Sequence, residues 1–335
     1  MTTGLTTDQL IDRFGRKITY LRISITDRCD FRCVYCMAEQ MEFLPRAAIL
    51  SLEEIYQIAK VFTELGVKKI RITGGEPLVR KGALGLLQQL GQLASLDELV
   101  LTTNGSQLVE LAEPLCKAGV KRLNISLDTL DPIKFKAITR TGNLQQVLQG
   151  IEVAKTQKFT RIKLNAVILK DRNHQEVPDL VRFAIQQGID ISFIEEMPLG
   201  IVEQHNRAEA YYSSDDIKAD LAREFSLVHT ETKTGGPSDY FHVAGTTTKV
   251  GFISPHSHNF CGSCNRVRLT VEGRLLLCLG NEHSIDLKQL MRREDYQEAD
   301  LKQAIIDAML IKPERHEFNL HEQPVIMRYM NMTGG

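Results

Sequence analysis

Between residues 20 and 200, short runs of β-branched and alternating apolar residues recur, separated by stretches with helical spacing. The run YLRISIT at 20–26 predicts a strand ending in a polar loop. Ser51 with Glu54 forms a capping box, Ile55, Ile58, Ala59 and Phe62 share one helical face, and Gly66 closes the element, so the pattern predicts a helix over 52–65. Further strand-like runs stand at 68–73, 97–103, 121–127, 161–168 and 190–196, with helical patterns between them. Strands that alternate with helices pair in parallel through right-handed crossovers, because parallel neighbours need a long connection. The expected fold class is α/β: an incomplete (β/α)6 barrel of TIM type over 1–200, then a smaller α+β region over 201–335. In that second region the alternation gives way to a helix near 214–224 and shorter strand-like runs.

Barrels of this kind collect their reactive groups at the carboxyl ends of the strands. The unusual residues fall there. Cys29, Cys33 and Cys36 follow the first strand, Gly74-Gly75-Glu76-Pro77 the second, and Thr103-Asn104-Gly105 the third. Ser126 and Asp128 follow the fourth, and Met197-Pro198 the sixth.

At 335 residues, 43% hydrophobic and 25% charged, the chain has the composition of a globular protein, and disorder as its main state is excluded. A net charge of −1 provides no overall attraction for nucleic acid or an anionic membrane, so a polyanion site has to be built from local cations. No apolar stretch approaches the ~18 residues of a membrane span, and the first twenty residues lack the apolar core of a secretion signal; a cytoplasmic location is expected. Of seven cysteines, six form two tight groups, which points to metal in a reducing compartment rather than disulfides. The seventh, Cys116, shares a helical face with Leu108, Leu111, Ala112 and Leu115 and is expected in the core.

The first group, TDRCDFRCVYC, has spacing C-x3-C-x2-C. Three thiolates leave one iron of a four-iron cluster open, or form a zinc site that a distant residue must complete. The second group, FCGSCNRVRLTVEGRLLLC, places Cys261, Cys264 and Cys278 at C-x2-C-x13-C. His256 and His258 stand close before it, so a three-cysteine, one-histidine zinc staple is an even alternative on spacing alone. Arg266 and Arg268 share one side of a strand, with Val267 on the other.

Taken together, C-x3-C-x2-C after a first strand and Gly-Gly-Glu-Pro after a second resemble the radical S-adenosylmethionine (SAM) superfamily. The further ordered motifs LTTNG, NISLDTL, KLNAV, FIEEMP, FCGSCNRVRLT and the terminal Gly334-Gly335 resemble its GTP-cyclising branch, which begins pterin assembly for the molybdenum cofactor. The resemblance covers nearly the whole chain. It implies a 4Fe-4S cluster on Cys29, Cys33 and Cys36 that binds and cleaves SAM, with Tyr35, Gly75, Ser126 and Met197 touching SAM. It implies a second 4Fe-4S cluster on Cys261, Cys264 and Cys278 that meets the guanine of GTP. Arg22, Arg71, Thr102, Lys163, Arg266, Val267 and Arg268 are the implied GTP contacts, and Arg266, Arg268, Gly334 and Gly335 the implied catalytic residues.

The reaction implied is attack of ribose C3′ on guanine C8 after loss of the C3′ hydrogen. A homodimer, a flavodoxin- or ferredoxin-type electron donor and cyclic pyranopterin monophosphate synthase as the next enzyme complete what the resemblance suggests. The chain departs from the pattern at Asp30, where Asn is usual, and at Met41, where glycine is frequent. Competing readings are a peptide-modifying radical SAM enzyme and a non-catalytic zinc-binding interaction module.

Overall fold

The computed structural model describes residues 9–200, 202, 205–232, 234–320 and 326–334. Six strands, β1 (Tyr20–Ser24), β2 (Lys69–Thr73), β3 (Glu98–Thr103), β4 (Val120–Ser126), β5 (Arg161–Val167) and β6 (Asp190–Ile194), pair in parallel in chain order. Helices cross between them, beginning with α1 (Leu52–Glu64), whose capping box of Ser51 and Glu54 forms in both directions. Its expected face is its buried face: Ile55, Ile58, Ala59 and Phe62 are fully enclosed. Strand ends agree with the sequence pattern to within one or two residues, the usual uncertainty of such boundaries.

The second region does not form a sheet of its own. Its strands β7 (Leu227–His229), β8 (Asp239–Val243), β9 (Lys249–Ile253), β10 (Arg266–Leu269), β11 (Arg274–Leu276) and β12 (Ser284–Asp286) extend the barrel sheet at both edges. Strand β10 adds parallel to β1, and β9 adds parallel to β6. Among the described residues the sheet therefore runs β12-β11-β10-β1-β2-β3-β4-β5-β6-β9-β8-β7.

Register decides what faces inward, because partners on adjacent strands project to the same side of a sheet. Arg22 lies between Arg71 and Arg268, Asn124 between Thr102 and Lys163, and Asn165 between Ser126 and Ser192. These polar positions form the concave face. The alternate positions, Leu21, Ile23, Ile70, Ile72, Leu123, Ile125, Leu164, Ile191 and Phe193, are buried against the helices. At the amino-terminal end of the barrel, Lys69 pairs with Glu98 at 2.5 Å, Arg122 with Glu98 at 3.1 Å and Arg161 with Asp190 at 3.2 Å. This ionic floor satisfies charges that face inward below the cavity. Cys116 is half-buried, at the margin of the stripe formed by buried Leu108, Ala112 and Leu115, and so is a boundary residue rather than a core one.

Candidate active site

The loop after β1 carries the first cysteine set. Cys29, Cys33 and Cys36 line a cavity open to solvent, together with Tyr35, Gly74, Gly75, Ser126, Asp128 and Met197. All four expected SAM contacts thus lie on the same cavity as the three thiols. Gly75 is required by close approach: a Cβ there would stand 2.4 Å from the carbonyl oxygen of Arg28. Backbone N–H of Phe31 donates to Cys29 Sγ at 3.3 Å, and Asn104 Nδ2 points at the same sulfur from 3.8 Å. Asp30 accepts from Asn104 Nδ2 and Ser106 Oγ, both at 2.6 Å, so the carboxylate at this unusual position fastens the cysteine loop to the end of β3. Burial pushes the Cys33 thiol up and Cys36 up to about 12. Thiols held in this way become ligands only when a cation takes the place of their protons.

Tyr35 donates to Asp128 Oδ2 at 2.7 Å, while Asp128 Oδ1 accepts from the Val167 N–H at 2.8 Å. Burial lifts Asp128 to about 6 and Glu76 to about 8. Glu76 is a scaffold: it accepts from the N–H groups of Leu78 and Asn104 and from Thr103 Oγ1, tying the glycine turn to the end of β3.

A second cavity, also open to solvent, is lined by Arg22, Arg71, Lys163, Arg266, Val267 and Arg268, and by Cys261, Cys264 and Cys278. Asn165, Ile194, Met197 and Met330 line both cavities, which therefore meet along one seam. Thr102 lies on the first cavity rather than the second, but its Oγ1 accepts from Arg71 Nη1 at 3.0 Å. Val267 is 1% exposed and stands on the side of β10 opposite Arg266 and Arg268, so it borders the second cavity without projecting into it. Arg266 lies over the Phe260 ring at 5.1 Å.

Gly334 reaches this face: its carbonyl oxygen accepts from Arg268 Nη1 at 2.7 Å and Arg22 Nη2 at 3.3 Å. Its φ of +75° and a would-be Cβ 1.7 Å from Thr73 Oγ1 leave room for glycine alone. Gly335 lies outside the described residues.

His256 and His258 turn elsewhere. His256 Nε2 meets the Glu196 carbonyl at 2.8 Å, and His258 Nε2 meets Asp215 at 2.9 Å. Among the described residues, no three His, Cys, Asp or Glu side chains are gathered as ligands of one ion. The donor chemistry of the first set, the glycine cradle and the buried, unpartnered Oδ1 of Asn165 at the seam suit a cluster and a polar ligand.

Sequence reasoning missed Tyr20, Tyr240 and Lys312. Tyr20 and Tyr240 are buried on the polar sides of their strands; Tyr20 Oη accepts from Arg71 Nε, and Tyr240 Oη from Lys163 Nζ at 3.2 Å. Alternation marks Tyr20 as inward-facing, since it precedes Arg22 by two, but no local pattern reveals its partner.

The family profile described as Radical SAM superfamily matches residues 23–184, and that described as Molybdenum Cofactor Synthesis C matches residues 189–318. A GTP 3′,8-cyclase of Pseudomonas entomophila is 61% identical over 327 residues, covering 97% of this chain and 98% of its own. The chain belongs to the GTP 3′,8-cyclase family. Other GTP 3′,8-cyclases, from Pseudomonas fluorescens and Saccharophagus degradans, are 58% and 56% identical, each over 97% of this chain and 98% of their own. Beyond the GTP 3′,8-cyclase family the fold extends to SuiB of Streptococcus suis, whose SAM-bound structure aligns with a TM-score of 0.62 at 16% identity, over 87% of this chain and 69% of SuiB. Membership of the radical SAM superfamily implies a 4Fe-4S cluster and SAM. Among the described residues no helix is long and apolar enough to cross a membrane.

Proposed function

We infer that this chain is a GTP 3′,8-cyclase, joining ribose C3′ to guanine C8 of GTP in the first step of molybdenum cofactor biosynthesis. The observation that carries the reading is the seam. One three-cysteine set lies on each of two adjoining cavities, and the second cavity holds five cations in a chain of net charge −1. When bound, a 4Fe-4S cluster with SAM supplies the radical chemistry that no side chain here provides.

The chain's own residues hold and orient. Arg22, Arg71, Lys163, Arg266 and Arg268 are the triphosphate and base contacts of this reading, because a polyphosphate needs several cations fixed around it. Tyr35, Gly75, Ser126 and Met197 form the SAM wall, and the Gly75 turn lets backbone approach the ligand. Thr102 keeps Arg71 in place. Cys261, Cys264 and Cys278 carry the second cluster, near the guanine. Gly334 brings its main-chain carbonyl to Arg22 and Arg268, so that the arginines meet the substrate from a fixed position. Asn165 offers a buried carbonyl oxygen at the seam between the two ligands. Both cavities are walled by Ile194, Met197 and Met330, which keep bulk water from the reacting ring.

On this reading residues 1–200 bind SAM and residues 201–335 bring the second metal site, in a cytoplasmic enzyme served by a flavodoxin- or ferredoxin-type donor. A homodimer and hand-over to cyclic pyranopterin monophosphate synthase belong to the same proposal.

The test is metal and product analysis of protein reconstituted without oxygen. Two four-iron clusters require about eight irons per chain. We expect about that number, with conversion of GTP to the 3′,8-cyclic nucleotide. Cys33→Ala abolishes both SAM cleavage and cyclisation, whereas Cys264→Ala spares SAM cleavage more than product. Full cyclisation by Cys264→Ala overturns the second site, and zinc without iron overturns the enzyme.

A further inference from the structure

After the helix Glu298–Leu310 the chain passes behind the second cysteine set, and Lys312 on that passage is only 1% exposed. Among the described residues no carboxylate pairs with it. Its ammonium donates to the Arg266 carbonyl at 3.0 Å and to the Leu277 carbonyl, and its third N–H is directed at Cys264 Sγ from 3.9 Å. Three acceptors match the three N–H groups of the protonated form. Arg266 lies two residues after Cys264 and Leu277 one before Cys278, so a single side chain bridges the backbone of two of the three thiols.

A buried charge is costly unless an opposite charge meets it. The groups that favour its charge most are Cys264 and Cys278, and Asp12, already paired with Arg16, adds to them. The same set has a second tie: Arg16, itself paired with Asp12 at 2.6 Å, donates to the Cys261 carbonyl at 2.8 Å and to the Glu314 carbonyl at 2.6 Å. Cations thus surround the carboxy-terminal cysteines, whereas acids, Asp30, Glu76 and Asp128, surround the first set. Charge near an iron–sulfur group shifts its potential, a cation favouring the reduced, more negative form.

We propose that Lys312 is a positioning residue of the second metal site: it binds the Cys264 turn to the Cys278 hairpin, and its charge makes the group held there easier to reduce. The inference rests on the reading of Cys261, Cys264 and Cys278 as a four-iron site.

The test uses the full chain with Cys29, Cys33 and Cys36 all changed to Ala, so that only the second set can bind a cluster. After reconstitution, iron is counted and the cluster is titrated potentiometrically, followed by electron paramagnetic resonance, with Lys312 intact and in Lys312→Met and Lys312→Arg. About four irons per chain are expected with Lys312 intact. The midpoint potential should become more negative in Lys312→Met and return toward the parent value in Lys312→Arg. Loss of iron in Lys312→Met with retention in Lys312→Arg supports the same role. An unchanged potential in Lys312→Met overturns the inference and leaves the second cluster standing, as does equal loss of iron from both variants. A parent that binds no iron overturns the second cluster and this inference with it.

Discussion

Tyr20 sits beneath the cationic wall with its ring 5.2 Å from Lys69 Nζ and its hydroxyl bound by Arg71. Burial alone would raise the phenol, but Arg71, Arg22, Lys69 and Arg266 overcome it and bring Tyr20 down to about 7. Below that pH the phenol is neutral and leaves the wall's full positive charge; above it a phenolate cancels part of it. We therefore expect inorganic triphosphate to bind Tyr20→Phe and wild type alike at pH 6, and wild type about tenfold more weakly than Tyr20→Phe at pH 8.5, as one unit charge a few ångströms away implies. Calorimetric titration at both pH values decides it, and an equal ratio throughout would remove Tyr20 from the site's charge balance. The cysteines and the Gly74-Gly75 turn were legible in the chain because their spacing is local, each group fixed within one loop. Tyr20, Asn165 and Lys312 were not, because each acquires its role from partners distant in sequence: 51 residues separate Tyr20 from Arg71, and 48 separate Lys312 from Cys264.

The helix α1 forms from local signals, and its cap is complete within four residues. Replacing Ser51 by Ala removes the acceptor for the Glu54 N–H and should cost about 1 kcal/mol. A lowered urea midpoint with unchanged iron uptake would express it, since α1 lies on the helical layer and not on the cavities. The alternation of KIRIT at 69–73 is plain in the chain, but which side faces inward comes only from the sheet: Arg71 and Thr73 face the cavities, Lys69 the ionic floor, and the isoleucines the helices. What the pattern withheld was the place of β9 and β10. Their short apolar runs resemble those of any small appended sheet. Only tertiary pairing shows Arg268 opposite Arg22 and Gly251 opposite Ser192, which turns a separate region into the two outer walls of the barrel.

For the molecule as a whole, the last described residues close the structure over its first strand. Ser24 Oγ and Asn331 O lie 3.5 Å apart, Asn331 Nδ2 donates to the Asp27 carbonyl at 2.8 Å, and Gly334 occupies Arg268. A chain ending at Tyr329 loses these bonds together, each worth about 1 kcal/mol and those to charged groups about 1.5–3. We expect it to take up as much iron as the full chain but to convert GTP at least about tenfold more slowly, measured by product formation. Unaltered turnover would show the tail to be dispensable.

The position of β1 between β2 and β10 has a further consequence for how the protein is made. Its partner on one side arrives some fifty residues later, but its partner on the other is separated from it by more than two hundred. While the nascent chain is still on the ribosome, β1 is an open sheet edge with an apolar back, the kind of surface on which aggregation begins. The same delay leaves the side of β1 that pairs with β10, and the cysteine loop at its end, uncovered until the carboxy-terminal segment emerges.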